Sequence, residues 1–551
     1  MYLLDLDYSP YTTMSNCMLI DFKGMLEHGF VMGNAEIKSP RSIQTATAQV
    51  SQILANVASQ QYGGCSFDRM DEVLAPYAEM NYKKHLADAD KYDIPNKEVY
   101  ATEKTQKDVY DAFQALEHEV NTLFSSNGQT PFVTVGLGLG TGRWEREIQR
   151  ATLKVRMAGL GDGRTAIFPK ILFTHRKGVN FYPTDPNYDI KRLALKCAAK
   201  RVYPDVLNYD KIVEITGSFK ASMGCRSFLQ QYVDPKTGEE VHAGRQNMGV
   251  VTLNLPRIAI ESGGDKKVFM ELLDERLGVI RDALVFRINR VLETKPENAP
   301  ILYKYGATGG WLNDGESIEP LVKNKRATAS IGYIGLYEVG VLLFGEDWQT
   351  DHYVDPVAKE FLKEVMQHMK DKALEWSNEY DVWFSVYGTP SESLTDRFCR
   401  LDTEKFGEIH RVTDKGFYVN SFHYSEELKP TPFEKMDFEG EFQPLSSGGF
   451  ISYVEAPSLI NNLDAMESLW NYSYDKVGYF GVNSPVDKCF ECGFEGEFIP
   501  TVNSYECPKC GNHDPAKADV IRRQCGYLGQ PLARPNVSGR KKEIDARVKH
   551  M

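Results

Sequence analysis

Long apolar runs are missing from this chain. The most apolar stretch, Ile331 to Phe344, is interrupted by Glu338 and is too short to cross a bilayer. A basic excess is missing as well. The formal net charge is −12, which excludes coating of nucleic acid through bulk electrostatics, yet 64 Lys and Arg remain to build a locally positive pocket for an anionic small substrate. The start carries Asp5 and Asp7 and no basic segment ahead of an apolar one, so no signal peptide is expected and a cytoplasmic location is. Internal repeats and low-complexity tracts are absent. What is there, 42% hydrophobic and 25% charged residues over 551, can bury a large core.

Cysteine is scarce until the end. Cys17, Cys65, Cys197, Cys225 and Cys399 are scattered, whereas Cys489, Cys492, Cys507, Cys510 and Cys525 crowd the last 63 residues. In a cytosolic chain such a cluster reads as metal ligands or redox groups and not as disulfides. Cys489/Cys492 and Cys507/Cys510 are two CxxC knuckles with 14 residues between them, the spacing of a four-cysteine zinc ribbon. Gly493 and Gly511 follow the knuckles, where positive φ is often required. Four thiolates leave no open position, so the site is expected to be structural; spacing alone leaves iron of the rubredoxin type open. His513 is expected to be a bystander.

Periodicity predicts helices over Ser42–Tyr62, Glu103–Phe124, Lys266–Leu292 and Pro356–Tyr380, and strands over Pro131–Val135, Ile167–Thr174, Val250–Leu255 and Val382–Tyr387. The alternation points to an α/β layer or barrel. Composition shifts near Gly481, which sets expected boundaries of 1–480, 481–514 and 515–551. Gly136 to Gly142 tempts a phosphate-loop reading, but no G-x-G-x-x-G register fits and no Gly-Lys-Ser/Thr follows; it is expected to turn the chain at a rim. Asn536-Val-Ser538 is a glycosylation sequon by pattern only.

Behind the second knuckle runs Arg523-Gln-Cys-Gly-Tyr-Leu-Gly529, with Gly526 16 residues after Cys510. This segment resembles the glycyl-radical motif of the class III, anaerobic ribonucleoside-triphosphate reductases, in which the radical sits on the glycine after the cysteine. A Cα radical delocalises into both flanking peptide groups if the site is planar, and a side chain would crowd it, so the chemistry requires glycine. Asp5 to Pro10, Ala327 to Glu338, Thr389 to Phe398, Tyr418 to His423, Gly448 to Asn461 and Ala546 to His550 also resemble blocks of that family.

The resemblance implies a ten-stranded α/β barrel of two antiparallel five-stranded halves, a finger loop (about 217–229) threaded through it, a zinc-ribbon-like module and a C-terminal glycyl-radical loop. Cys225, in Met223-Gly-Cys-Arg-Ser-Phe-Leu229, matches the thiyl cysteine that abstracts the 3′ hydrogen of the ribose. Cys65, in Gly63-Gly-Cys-Ser-Phe-Asp68, resembles the second active-site thiol. Asn247 is taken as the active-site amide, ahead of Asn254, with Gln246 one residue away. Cys17, Cys197 and Cys399 are taken as structural thiols, and Cys525 has no assigned role. The implied activity is reduction of ribonucleoside triphosphates to deoxyribonucleotides with formate as reductant. Implied partners are a radical-SAM activase carrying S-adenosylmethionine and an Fe–S cluster, dNTP effectors, and a second copy in a homodimer with part of the effector site on the Glu103–Phe124 helix. Family members often carry an N-terminal ATP-cone, and its control is expected to be absent here. Two rivals stand beside this reading. One is a glycyl-radical enzyme of the formate-lyase or diol-dehydratase type, which lacks the four-cysteine site. The other is a zinc-ribbon binding protein, disfavoured by Glu491, Glu495, Glu497 and Glu506 around the knuckles.

Overall fold

The computed structural model describes residues 12–126, 128, 130–390, 393–502 and 504–551. The expected barrel-entry segment Asp5 to Pro10 lies outside them. Ten strands form one sheet: β1 (Met18–Leu19), β2 (Cys65–Phe67), β3 (Val133–Leu137), β4 (Lys170–His175), β5 (Asp205–Asn208), β6 (Arg245–Asn254), β7 (Thr328–Ile334), β8 (Trp383–Gly388), β9 (Ser452–Glu455) and β10 (Tyr479–Asn483). Their order is β8-β7-β6-β1-β2-β3-β4-β5-β10-β9. Strands β1 to β5 run parallel to one another, and β6 and β10 pair antiparallel to the two flanks of that half. The sheet closes between β8 and the segment before β9, where Gly388 N donates to Gly449 O (2.9 Å) and Gly448 N to Val386 O (2.8 Å). The expected barrel of two opposed five-stranded halves is therefore present.

Helices coat the outside and the chain itself fills the inside, so strands are buried on both faces and read as apolar runs instead of alternating ones. The helices with the clearest signals follow from local chemistry. Asp265 caps α4 (Lys266–Leu292) by accepting from Lys267 N and Val268 N, and Leu273, Leu277, Ile280, Leu284 and Ile288 make its buried stripe. Asp355 caps α5 (Pro356–Tyr380), with proline at its first position. Helices α1 (Ile43–Gln60), α2 (Lys97–Thr122) and α3 (Arg143–Ala158) cover the first half. The apolar Ile331–Phe344 stretch is β7 plus a helix begun at Leu336, and among the described residues no helix is long and apolar enough to cross a membrane.

The Gly136–Gly142 segment links β3 to α3. Two of its glycine amides are already spoken for: Gly138 N and Gly140 N both donate to Asp71 Oδ2, at 3.2 and 3.3 Å, and Asp71 is fully buried. A phosphate would have to displace that carboxylate. The expected boundary at 480 falls inside β10, which ends at Asn483.

Candidate active site and metal centre

Two hairpin tips meet inside the barrel. The first belongs to the finger, which turns tightly where Met223 N donates to Ser227 O (2.7 Å) and Ser227 N to Met223 O (3.0 Å), leaving Gly224, Cys225 and Arg226 at the tip. Its return limb is sewn to the closing seam of the barrel by Phe228 N on Gly448 O (2.9 Å) and by the ring of Phe228 stacked on Phe450. The second hairpin joins β13 (Arg522–Arg523) to β14 (Leu528–Gly529), with Cys525 and Gly526 at its tip. Arg523 anchors it with both terminal nitrogens on Asp205 (2.6 and 3.0 Å), and both side chains are fully buried. Tyr527 packs edge-on against Phe132.

Gly526 is buried against the backbone of Cys225. A methyl group placed on Gly526 would lie 2.9 Å from the Cα of Cys225 and 2.6 Å from its carbonyl carbon, inside any real contact distance. Glycine is thus required here sterically, quite apart from its chemistry. Its neighbour Cys525 is also buried, its Sγ accepting from Arg540 Nη2 (2.6 Å) on α6 (Ser538–Ala546).

The opposite side of the finger tip corrects one expectation. Ser66 points into the barrel, its Oγ accepting from Gly224 N (3.2 Å). Successive side chains of a strand face opposite ways, so Cys65 and Phe67 point outward. Phe67 stacks on Phe22, and Cys65 accepts from Gln61 Nε2 (3.2 Å), its thiol pushed up to about 12 by burial. The thiol that faces the finger is Cys17. It packs with Leu19, Met223 and Leu229, accepts from Gly64 N (3.2 Å), and lies where a Cβ on Gly224 would approach to 3.1 Å. No pattern in Ser15-Asn16-Cys17-Met18 marks it, because β1 has only two residues and shows no alternation.

Asn247 stands beside Cys17, with Asn247 N donating to Cys17 O (2.8 Å). Its amide donates to Ser330 Oγ (2.8 Å) and accepts from Gly249 N (2.9 Å) at a bulge between β6 and β7. Gln246 pairs with Met18 on the other face and receives Tyr303 OH, while Asn254 caps a helix and binds Asp402. The geometry therefore gathers Cys17, Cys225, Asn247 and Gly526 around one finger tip and leaves Cys65, Gln246 and Asn254 out. Cys197 and Cys399 are buried elsewhere, their thiols also pushed up to about 12 by burial.

The sulfurs of Cys489, Cys492, Cys507 and Cys510 all lie within 4.8 Å of one another. Closest pairs are 3.7 Å (Cys489–Cys510) and 3.6 Å (Cys492–Cys507). These are far from a disulfide and match the spacing of about 3.8 Å set by a tetrahedral ion with metal–sulfur bonds of about 2.3 Å. Gly493 and Gly511 adopt φ of +72° and +71°, and Asn512 Nδ2 donates to Cys489 Sγ. His513 is exposed and bonds only its own loop. The residues fit a structural metal. The module also grips the second hairpin: β11 (Asp487–Cys489) pairs with β12 (Ala518–Asp519), and the Asp487 carboxylate accepts from Ile521 N (3.0 Å) and Arg522 Nη1 (2.6 Å).

Barrel, threaded finger, buried glycine hairpin and four-cysteine cluster together are the arrangement that the resemblance to an anaerobic ribonucleotide reductase implies. Comparison with known proteins makes this specific. The family model described as anaerobic ribonucleoside-triphosphate reductase matches residues 1–550. The enzyme of that name from Salmonella typhimurium is 53% identical over 552 residues, covering 99% of this chain and 76% of that one. A solved anaerobic ribonucleotide reductase superposes with a TM-score of 0.75 at 19% identity, covering 100% of this chain and 82% of the other. That from Thermotoga maritima, in complex with dATP and CTP, gives 0.70 at 18%, covering 99% and 84%. The chain belongs to the anaerobic ribonucleoside-triphosphate reductase family and is an oxidoreductase.

Proposed function

We propose that this chain reduces ribonucleoside triphosphates by moving a radical from Gly526 to Cys225. The contact between Gly526 and the Cys225 backbone carries the reading. A hydrogen atom passes from the Cys225 thiol to the Gly526 Cα radical, leaving a thiyl that takes the 3′ hydrogen of the ribose. The 2′ hydroxyl then leaves as water with an added proton. Formate, oxidised to CO2, supplies two electrons and one proton. With the proton that leaves in the water, these put a hydrogen on C2′ in place of the hydroxyl. The Cys225 thiol then returns its hydrogen to C3′ and is a thiyl again. Cys17, facing the same tip, takes the role expected of Cys65 as second thiol, and Asn247 orients substrate or formate through its amide.

Zinc is the proposed metal of the four cysteines, where it would hold the two knuckles together. A separate radical-SAM activase, with S-adenosylmethionine and an Fe–S cluster, would install the radical. The Thermotoga maritima relative was solved with dATP and CTP, which supports nucleotides as effector and substrate here. A cleft of about 400 Å³ between α2 and α3, lined by Lys107, Tyr110, Glu147, Arg150 and Lys154, supports placing part of a dNTP effector site on the expected helix. The homodimer belongs to the same proposed reading.

The test is anaerobic activation with a family activase, S-adenosylmethionine and a reductant, followed by EPR and then air. A doublet signal, and loss of residues 526–551 by cleavage on exposure to air, is expected. Absence of both, with a known reductase activated in parallel, would overturn the reading.

A further inference from the structure

Ser66, Thr134 and Lys170 form a row across the barrel wall. They are register partners on β2, β3 and β4, all fully buried and all facing inward. All three reach the same residue of the finger. Gly224 N donates to Ser66 Oγ, Thr134 Oγ1 donates to Gly224 O, and Lys170 Nζ donates to Gly224 O, each at 3.2 Å. Lys170 alone reaches one residue further and donates to Cys225 O. That carbonyl is the group against which Gly526 is packed.

A buried ammonium is an expensive choice for filling space. Burial pushes Lys170 down to about 7 against the pull of Asp205 and Cys225, and its surroundings include the ring of Tyr479 at 4.8 Å and the cations Arg523 and Arg226. An apolar side chain of similar length would occupy the volume without that cost. What such a side chain could not supply is donors to two consecutive carbonyls at the tip of the turn.

We propose that Lys170 is a positioning residue for hydrogen-atom transfer between Gly526 and Cys225: with Ser66 and Thr134 it fixes the finger tip so that Cys225 stays in register with the glycine. The proposal rests on the Gly526/Cys225 reading above. It separates storing the radical, which needs only the second hairpin, from passing it on, which needs the tip held in place.

The experiment activates wild type, Lys170→Met, Lys170→Gln and Thr134→Val side by side, integrates the doublet per chain, and measures product formed per radical. Lys170→Met is expected to keep the wild-type doublet and KM while turnover per radical falls on the order of a hundredfold, the scale that a misplacement of about 1 Å costs. Lys170→Gln, which retains a donor, is expected to recover part of that loss, and Thr134→Val to lose turnover less severely. Wild-type turnover per radical in Lys170→Met overturns the proposal. So does loss of the doublet itself in Lys170→Met with Thr134→Val unaffected, which would make the row a folding element. Should Lys170→Met fail to fold, unchanged turnover per radical in Thr134→Val overturns it. A wild type that never shows a doublet brings down the radical reading instead, so the two failures are distinguishable.

Discussion

The peptide carbonyl of Cys225 accepts from Lys170 Nζ and is also the group against which Gly526 is packed. The two hairpins that supply Cys225 and Gly526 lie some 300 residues apart in sequence (526 − 225 = 301). The first is anchored to β2, β3 and β4 of the barrel wall, the second to Asp205 on β5 and to the cysteine module. Their contact is therefore a product of the whole fold, and Lys170 lies between the two anchors, beside both the finger tip and the Asp205–Arg523 pair.

Gly526→Ala places a methyl group in the backbone of Cys225 and removes the planar radical site. Both the EPR doublet and the air-induced cleavage are expected to vanish, with a loss of stability of about 1–3 kcal/mol from overpacking. Metal content at the wild-type level would show that the module still folds. A doublet of wild-type size in this variant would move the radical elsewhere.

Cys17→Ser and Cys65→Ser separate the two thiols. Cys17→Ser is expected to form the glycyl radical and make no deoxyribonucleotide in a single-turnover assay. Cys65→Ser, altering a thiol that faces away from the finger, is expected to keep turnover and lose only stability, about 1–3 kcal/mol for a hydroxyl buried in place of sulfur. The reverse pattern would restore Cys65 to the site.

Stripping the metal should act on the second hairpin first. The pairing of β11 with β12 and the Asp487 clamp on Ile521 and Arg522 both depend on the knuckle that Cys489 begins. Chelation is expected to abolish the doublet on later activation while the circular dichroism of the barrel persists, and added Zn²⁺ to restore it. Hydrogen exchange over 518–529 should rise in step. A stripped protein that activates normally would uncouple the module from the radical.

Acid should destabilise the fold through His423. The ring is 2% exposed, lies 3.2 Å from Glu439 and 3.4 Å from the Arg226 guanidinium, and burial lowers its pKa to about 4. A folded-state pKa below the unfolded value of 6.5 means that the unfolded chain binds the proton first. Stability is then intact above pH 6.5 and falls as pH drops towards 4, by an amount on the order of 3 kcal/mol for this group. Thermal midpoints measured from pH 8 to pH 4 should fall more shallowly in His423→Asn. Parallel curves for the two proteins would assign the acid sensitivity to other groups.

Legibility from sequence varied with the range of the forces involved. The helices over Lys266–Leu292 and Pro356–Tyr380 are found with the ends that the sequence pattern predicts, and the aspartate caps and the proline that start them are local interactions. Strands were less legible: β6 begins at Arg245, five residues ahead of the apolar run that announced it. The buried row of Ser66, Thr134 and Lys170 carries no motif at all, since each member is an ordinary residue until three strands align.

The sequence by itself determined the four-cysteine cluster, whose knuckles are built from contacts a few residues apart, and pointed to Gly526 as the proposed radical site. It also determined the family, through blocks spread along the chain. Only the tertiary structure showed which thiol packs against the finger tip that carries Cys225. That choice depends on which way a two-residue strand faces, and the facing is set by pairing with Gln246 and Cys65, tens to hundreds of residues away. A side chain's direction in a strand alternates with every residue, so it is fixed by register between strands, a property of partners that no single segment contains.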